Sequence, residues 1–390
     1  MLIAKRPQRL LKRGPTISVK DGPTMQFDFK NLANHYIRQL VPYQPGKPLE
    51  ELERELGITS AIKLASNENA LGASPHALAA AQNALLNAHI YPDGGCFALK
   101  QALIQHHTIF YNQLSIGNGS ENILEMIIKA YLSHDDSAVI SQYAFLTIPL
   151  LIKSYGAKCI TVPAIAYRHD IQGMIAAVNK KTRIIFIVNP NNPTGTYTTA
   201  NELKHLLESI PPHVLVVVDE AYYEYIDHVD YPQTINMLAQ YPNLVITRTF
   251  SKVYGLAALR LGYAISSPDI ADILNRARLP FNVNSIAAMA AEAALLDQDH
   301  VARSVKMNKE GMLQLEEGLR KIAIDFIPSL GNFITIDMKQ NANAIYQQFL
   351  LRGIILRPLS AYDMSTHLRV TIGTHEQNER FLQALYAIYP

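Results

Sequence analysis

Residues 184–252 read IIFIVNPNNPTGTYTTANELKHLLESIPPHVLVVVDEAYYEYIDHVDYPQTINMLAQYPNLVITRTFSK, and this stretch decides the fold. It holds three short apolar runs, Ile184–Val188, Val214–Val218 and Leu244–Thr247, whose first residues lie 30 positions apart each time. That spacing matches the repeat of a βαβ unit, roughly 30 residues. The runs are apolar at nearly every position instead of alternating, as strands covered by helices on both faces require. Between the first two, Thr199-Ala-Asn-Glu202 forms a capping-box pattern. It opens a helix through Leu203, Leu206 and Leu207 that stops before Pro211-Pro212. The pattern predicts an open α/β domain with a mostly parallel central sheet.

Working outward, Ala138–Ser141 reads as another strand, preceded by a helix over Glu121–Leu132. After about residue 295 the texture changes. An amphipathic stretch over Val301–Ile322 precedes a strand-like Asn332–Ile336, a helix over Ala342–Leu351, and two further apolar runs, Gly353–Leu356 and Leu368–Ile372. That mixture predicts a smaller α+β domain. Residues 30–60, with Pro42, Pro45, Gly46 and Pro48 before Leu49–Leu56, read as an arm and a short helix. The resulting division is a basic, disordered leader over 1–29, an arm and small-domain segment over 30–65, a large domain over 66–292 and a small domain over 293–390.

Composition narrows the partners. The 390 residues carry 35 Lys+Arg against 33 Asp+Glu, a net charge of +2, which speaks against a general nucleic-acid binder. Residues 1–24 hold six basic side chains against Asp21 alone, a net of +5, so the remaining 366 are mildly acidic at −3. Two cysteines, Cys96 and Cys159, allow neither a disulfide scaffold nor a four-cysteine zinc site. No apolar stretch approaches the ~18 residues needed to span a bilayer, and a soluble, cytoplasmic protein is expected.

In open α/β sheets, function collects beyond the carboxyl ends of strands. Ile184–Val188 is followed by Asn189-Pro-Asn-Asn-Pro-Thr-Gly195, Val214–Val218 by Asp219-Glu-Ala-Tyr222, and Leu244–Thr247 by Arg248-Thr-Phe-Ser-Lys252, with Arg260 eight residues on. Taken singly, Asp219 reads equally as a helix cap, Lys252 as a surface lysine and Asn192 as turn chemistry. Together they set an amine, a carboxylate, a phenol, an amide and a cationic hydroxyl-rich patch on three successive strand tips. That is equipment for holding pyridoxal phosphate: a Schiff-base lysine, a partner for the pyridinium nitrogen and phosphate donors. Gly117-Asn-Gly119 begins like a dinucleotide loop, but Asn122 stands in the third glycine's place.

Further motifs join these: Leu64-Ala-Ser-Asn-Glu-Asn69, Tyr91-Pro-Asp-Gly-Gly95, Gly117-Asn-Gly-Ser120 and Leu368-Arg-Val-Thr-Ile-Gly373. The whole set resembles the fold-type I, aspartate-aminotransferase-like aminotransferases. Pro42-Tyr-Gln-Pro-Gly-Lys47 and Pro280-Phe-Asn-Val-Asn-Ser285 point within them to the histidinol-phosphate aminotransferase family. The similarity runs in register from about Leu40 to the C-terminus.

The resemblance implies a role for each matching residue. Lys252 would bind the cofactor aldehyde and shuttle the substrate proton. Asp219 would keep the pyridine nitrogen protonated, Tyr222 and Asn192 would hydrogen-bond the ring oxygen, and Tyr143 would stack on the ring. The phosphate would sit at the helix entered at Ser120-Glu121, with Thr249, Ser251 and Arg260 completing its cradle. Tyr91 would reach that phosphate from a neighbouring subunit, which implies a homodimer with shared active sites. Arg369 would bind the substrate anion, assisted by Tyr43 of the partner and by Arg357.

Ser120-Glu-Asn122 departs from the family's usual Ser-Asp-Glu, a change to which backbone donors are indifferent. Some alternatives stay open at this level. Tyr91 could pack under its own proline, and Arg369 could pair with an internal acid such as Glu376. The implied activity is transfer of the amino group of histidinol phosphate to 2-oxoglutarate in histidine biosynthesis. The rivals are an aromatic amino acid aminotransferase, a phospho-amino-acid decarboxylase of the same fold, and a catalytically silent, cofactor-sensing domain.

Overall fold

The structure is a computed structural model that describes residues 28–42 and 46–389. Nearly all of the basic leader, and Tyr43, lie outside the described residues. The described residues form two separate units, parted between Gln39 and Leu40. The first holds two four-residue helical turns, Phe29–Leu32 and His35–Arg38, capped by the side chains of Asp28 and Asn34.

The strands of the second unit are β1 Ile62–Lys63, β2 Leu114–Gly117, β3 Ser137–Ser141, β4 Lys158–Val162, β5 Thr182–Val188, β6 Leu215–Asp219, β7 Leu244–Thr249 and β8 Gly262–Ser266. Towards the C-terminus follow β9 Asp325–Ile327, β10 Phe333–Asp337, β11 Ile354–Ile355, β12 Arg357–Leu359 and β13 Met364–Thr371. The central sheet has the order β2-β8-β7-β6-β5-β3-β4. Its strands run parallel except β8, which is antiparallel to both neighbours.

Alternation along β5 explains the all-apolar run. Ile184, Phe186 and Val188 enter the core on one face, and Ile185 and Ile187 enter the core on the other. The first face is covered by Ile123, Leu124 and Ile127 of the Ser120–Tyr131 helix and by Ile148 and Ile152 of Thr147–Ser154. The second is covered by Leu203, Leu206 and Leu207 of Ala200–Ser209 and by Ala287, Ala290 and Ala291 of Ser285–Leu296. Thr199 and Glu202 make the reciprocal capping bonds that their spacing predicts.

The small sheet is antiparallel, in the order β12-β13-β10-β9. It packs Ile334, Ile336, Leu368 and Val370 against Leu315 and Leu319 of the Gln298–Lys321 helix and Phe381 and Leu385 of His375–Ile388. β1 pairs in parallel with β11, which seats the segment before residue 65 beside the C-terminal one. No apolar run in the sequence marks β2, β4 or β8. All three are short and interrupted by Gly, Ser, Lys or Thr, so their apolar signal is weak.

Candidate active site

All parallel strands of the central sheet end at one edge, and that edge collects the chemistry. β6 delivers Asp219 as its last residue, β5 runs into Asn189–Gly195, and β7 runs through Thr249 to Ser251 and Lys252. β8 has a special part. Being antiparallel, it begins at this edge, with Gly262 opposite both Gly117 and Thr249. Arg260, just before it, is thereby brought beside the N-terminus of the Ser120–Tyr131 helix. Gly262 also permits that approach, because a Cβ there would lie 2.4 Å from the Ser120 backbone nitrogen.

These groups line one cleft of about 290 Å³, whose walls include Ser120, Glu121, Asn192, Asp219, Tyr222, Thr249, Ser251, Lys252 and Arg260. At one end lies an anion cup. The helix N-terminus has no side-chain cap, so its first-turn N–H groups point outward with the positive end of the helix dipole. The Arg260 guanidinium donates to Ser251 Oγ at 3.4 Å and to the Ala257 carbonyl at 3.2 Å. It also donates to Glu121 Oε2 at 3.2 Å, while Glu121 Oε1 accepts from Thr147 Oγ1 at 3.1 Å.

Deeper in the cleft, Asp219 is 4% exposed and accepts a hydrogen bond from Thr247 Oγ1 at 2.9 Å. Burial pushes its carboxyl up to about 6, the Thr247 bond opposing this and the Glu121 and Glu220 charges adding to it. Lys252 Nζ donates to the Ser66 carbonyl at 3.1 Å and lies 5.7 Å from the centre of the Tyr222 ring. Burial, then the Arg369 charge, lowers its amine to about 8. Burial raises the Tyr222 phenol to about 12, against the pull of Arg369 and of a hydrogen bond from Asn67.

A second cavity of about 150 Å³ adjoins the first, sharing Phe145, Asn192 and Lys252. Arg357 and Arg369 both line it, and they are register partners on adjacent strands β12 and β13. Two guanidiniums directly opposite each other across a strand pair repel, so their common cavity is built for an anion. Arg369 also donates to Asn192 Oδ1 at 2.5 Å and to the Ala65 carbonyl at 2.6 Å. Glu376, its suggested internal partner, is exposed in the first turn of the His375–Ile388 helix and accepts from Thr374 Oγ1.

Most of the residues singled out from sequence therefore meet at these two cavities. Tyr143 lies beside them, its ring tilted against Tyr167 at 5.8 Å and its carbonyl held by Asn191 Nδ2 at 3.0 Å. Phe145, two residues on, lines both cavities. Tyr91 is elsewhere on the surface, 80% exposed and stacked on Phe281 at 4.9 Å. Thr247, Asn67 and Phe145 join the site without having been marked by the sequence. Thr247 and Asn67 stand inside quoted motifs, yet only the fold brings them to Asp219 and Tyr222.

The donor set fits pyridoxal phosphate: a cationic cup with an uncapped helix for the phosphate, a buried carboxylate for the ring nitrogen, and a primary amine between them. Comparison with known proteins agrees. Residues 59–385 match the family model for aminotransferase class I and II. Histidinol-phosphate aminotransferase 1 of Nitrosococcus oceani is 50% identical over 360 residues, covering 92% of this chain and 97% of that protein. Histidinol-phosphate aminotransferase 2 of Pseudomonas fluorescens Pf-5 is 51% identical over 363 residues, 93% of this chain and 98% of its own. Among solved structures, histidinol-phosphate aminotransferase from Sinorhizobium meliloti in complex with pyridoxal-5'-phosphate superposes with a TM-score of 0.85 at 28% identity, covering 92% of this chain and 97% of that one. The chain belongs to the class I and II aminotransferases, which work with pyridoxal phosphate, and within them to the histidinol-phosphate aminotransferase family.

Proposed function

We propose that this enzyme transfers the amino group of L-histidinol phosphate to 2-oxoglutarate, giving imidazole-acetol phosphate and glutamate. The observation that carries the substrate is the Arg357–Arg369 pair across β12 and β13, facing the cavity next to Lys252. A phosphate dianion answers two guanidiniums, and in the second half of the reaction a carboxylate of 2-oxoglutarate takes the same place. An aromatic amino acid would offer that pair only the single charge of its α-carboxylate where histidinol phosphate offers a phosphate dianion, which favours the phosphate substrate.

Bound in the cleft, pyridoxal phosphate supplies an aldehyde that exchanges amines and a ring that takes up the electron pair left at the substrate Cα. The chain's own residues do the rest. Arg260, Ser251, Thr249 and the helix N-terminus at Ser120-Glu121 hold the phosphate. Asp219, fixed by Thr247, holds a proton on the ring nitrogen. Asn192 and Tyr222 donate to the ring oxygen, and Tyr143 or its neighbour Phe145 covers the ring face. Lys252 Nζ, its amine lowered to about 8, is the base that takes the proton from the substrate Cα.

We further propose a homodimer in which Tyr91 and Tyr43 complete the partner's site. Its support is a set of exposed apolar side chains, the stacked Tyr91 and Phe281 with Leu86, Ile90 and Leu279, of which Leu86, Tyr91 and Leu279 are each more than two-thirds exposed. The division into leader, arm, large domain over 66–292 and small domain over 293–390 belongs to the same reading. So does a cytoplasmic place: Cys96 and Cys159 are unpaired thiols, and among the described residues no helix is long and apolar enough to cross a membrane.

A half-reaction tests the activity. Histidinol phosphate added to the yellow holoenzyme should shift its visible absorption, and 2-oxoglutarate should then restore the spectrum with one glutamate per site. Carbon dioxide released from a phospho-amino acid such as O-phosphothreonine, with histidinol phosphate leaving the spectrum unchanged, would establish the decarboxylase instead.

A further inference from the structure

We propose that Asn67 is a positioning residue that aims the hydroxyl proton of Tyr222 into the cofactor cleft. This rests on the reading of Tyr222 as a donor to the cofactor's ring oxygen. Asn67 is 1% exposed and has φ +56, a left-handed backbone that asparagine tolerates better than other side chains. Its Nδ2 donates to the Tyr222 hydroxyl oxygen at 2.9 Å. Its Oδ1 accepts from Thr371 Oγ1 at 3.1 Å, and its backbone N–H donates to that same hydroxyl at 2.9 Å. The Asn332 amide, donating to the Asn67 carbonyl at 3.0 Å, ties the segment from the other side.

The bonding favours one direction of the amide. With Oδ1 toward Thr371, that hydroxyl accepts the Asn67 N–H and has an acceptor for its own proton, and Nδ2 faces the phenol; reversed, the amide would set a second donor on the hydroxyl and take away that acceptor. A phenol has a single proton. With its oxygen accepting from Asn67, that proton is directed away from the amide, toward the cleft that Tyr222 lines. The reversed amide would take the phenol's proton and leave the ring oxygen without this donor. Thr371 stands two residues beyond Arg369, on the same face of β13, so the strand that carries the substrate-anion arginine also sets this amide.

The test is a pH titration of the bound cofactor's visible absorption in the holoenzyme. A donor at the ring oxygen favours the form in which that oxygen carries negative charge, so losing it moves the midpoint to higher pH. Y222F should show this shift in full. N67G keeps the left-handed backbone but removes the amide, and should raise the midpoint by about 0.7 of a pH unit, one neutral hydrogen bond's worth. N67D keeps the shape but can only accept as a carboxylate, and should approach Y222F. N67G added to Y222F should add nothing. T371V, which frees the amide to turn, should move the midpoint the same way and serves if N67G does not fold. If Y222F shifts the midpoint while N67G, N67D and T371V leave it in place, the Asn67 inference falls and the Tyr222 role stands. An equal N67G shift in the Y222F background also overturns it. A Y222F midpoint at the wild-type value overturns both readings.

Discussion

Arg369 and Asn192, 177 residues apart, share a hydrogen bond of 2.5 Å from guanidinium to amide oxygen. The bond joins the small sheet to the loop after β5. With its Oδ1 engaged, Asn192 presents its Nδ2 as the remaining donor, the orientation needed to meet a ring oxygen in the cleft. One arginine thus faces the substrate anion and fixes an amide of the cofactor site.

Replacing Arg369 by Lys keeps the charge but loses the fork that serves both contacts. We expect the KM for histidinol phosphate and for 2-oxoglutarate to rise about ten- to a hundredfold, the range of a hydrogen bond to a charged group. Steady-state kinetics with each substrate varied separately check this. A change in kcat with both KM values intact would assign Arg369 a different part.

The lowered amine of Lys252 predicts how the cofactor-free protein takes up pyridoxal phosphate. Only the neutral amine attacks the aldehyde, and with a value of about 8 it is present in about one molecule in ten at pH 7. The uptake rate should climb about tenfold per pH unit and level off near pH 8. Stopped-flow absorption reads it, and a rise continuing to pH 10 would mean an ordinary surface lysine. Lys252→Ala should bind the cofactor only reversibly, losing its colour on dialysis.

Asp219 carries a cost of its own. A carboxyl raised to about 6 by burial binds its proton more tightly folded than unfolded. Folding stability is therefore undiminished below about pH 4, falls as pH rises to about 6, and stays lower above that. Asp219→Asn should stabilise the cofactor-free protein by about 2–3 kcal/mol at pH 7 and hardly at all at pH 4. The same variant should lose about a hundred- to a thousandfold in kcat, the scale of an electrostatic stabiliser removed. Thermal melts at the two pH values, with turnover at pH 7, decide. Equal melting shifts at both would place the carboxylate outside a low-dielectric pocket.

Gly262 links strand order to phosphate binding. A Cβ there would lie 2.4 Å from Ser120 N, 2.8 Å from Gly119 C and 2.9 Å from Arg248 O, all main chain and unable to swing aside. Gly262→Ala should push β8 from the helix N-terminus, raising the dissociation constant for pyridoxal phosphate about tenfold or more. Titration of the cofactor-free protein measures this, and wild-type affinity would remove the helix from the cup.

The layered sheet was legible because strands buried on both faces leave unbroken apolar runs, and β5, β6 and β7 do. β8 was not: Gly-Tyr-Ala-Ile-Ser is too short and mixed to announce itself, and its reversed direction follows only from hydrogen-bond register. The same divide runs through the site. Lys252, Asp219 and Asn192 follow apolar runs directly, so position along the chain suffices to group them. Asn67 reaches Tyr222 across 155 residues and Thr371 across 304, contacts that depend on how the small sheet meets the large one. Phe145 lies two residues beyond a tyrosine with a stronger motif, and only in the fold does that tyrosine's ring pack on Tyr167 while Phe145 lines both cavities.

The central claim is that the paired arginines make histidinol phosphate the donor. The direct measurement is kcat/KM for histidinol phosphate, phenylalanine and tyrosine, each with 2-oxoglutarate, in the wild type and in Arg357→Ala. The account predicts that histidinol phosphate leads by a hundredfold or more, on the order of two charge-assisted hydrogen bonds, and that Arg357→Ala narrows that lead. Equal or better turnover of phenylalanine or tyrosine by the wild-type enzyme would contradict it.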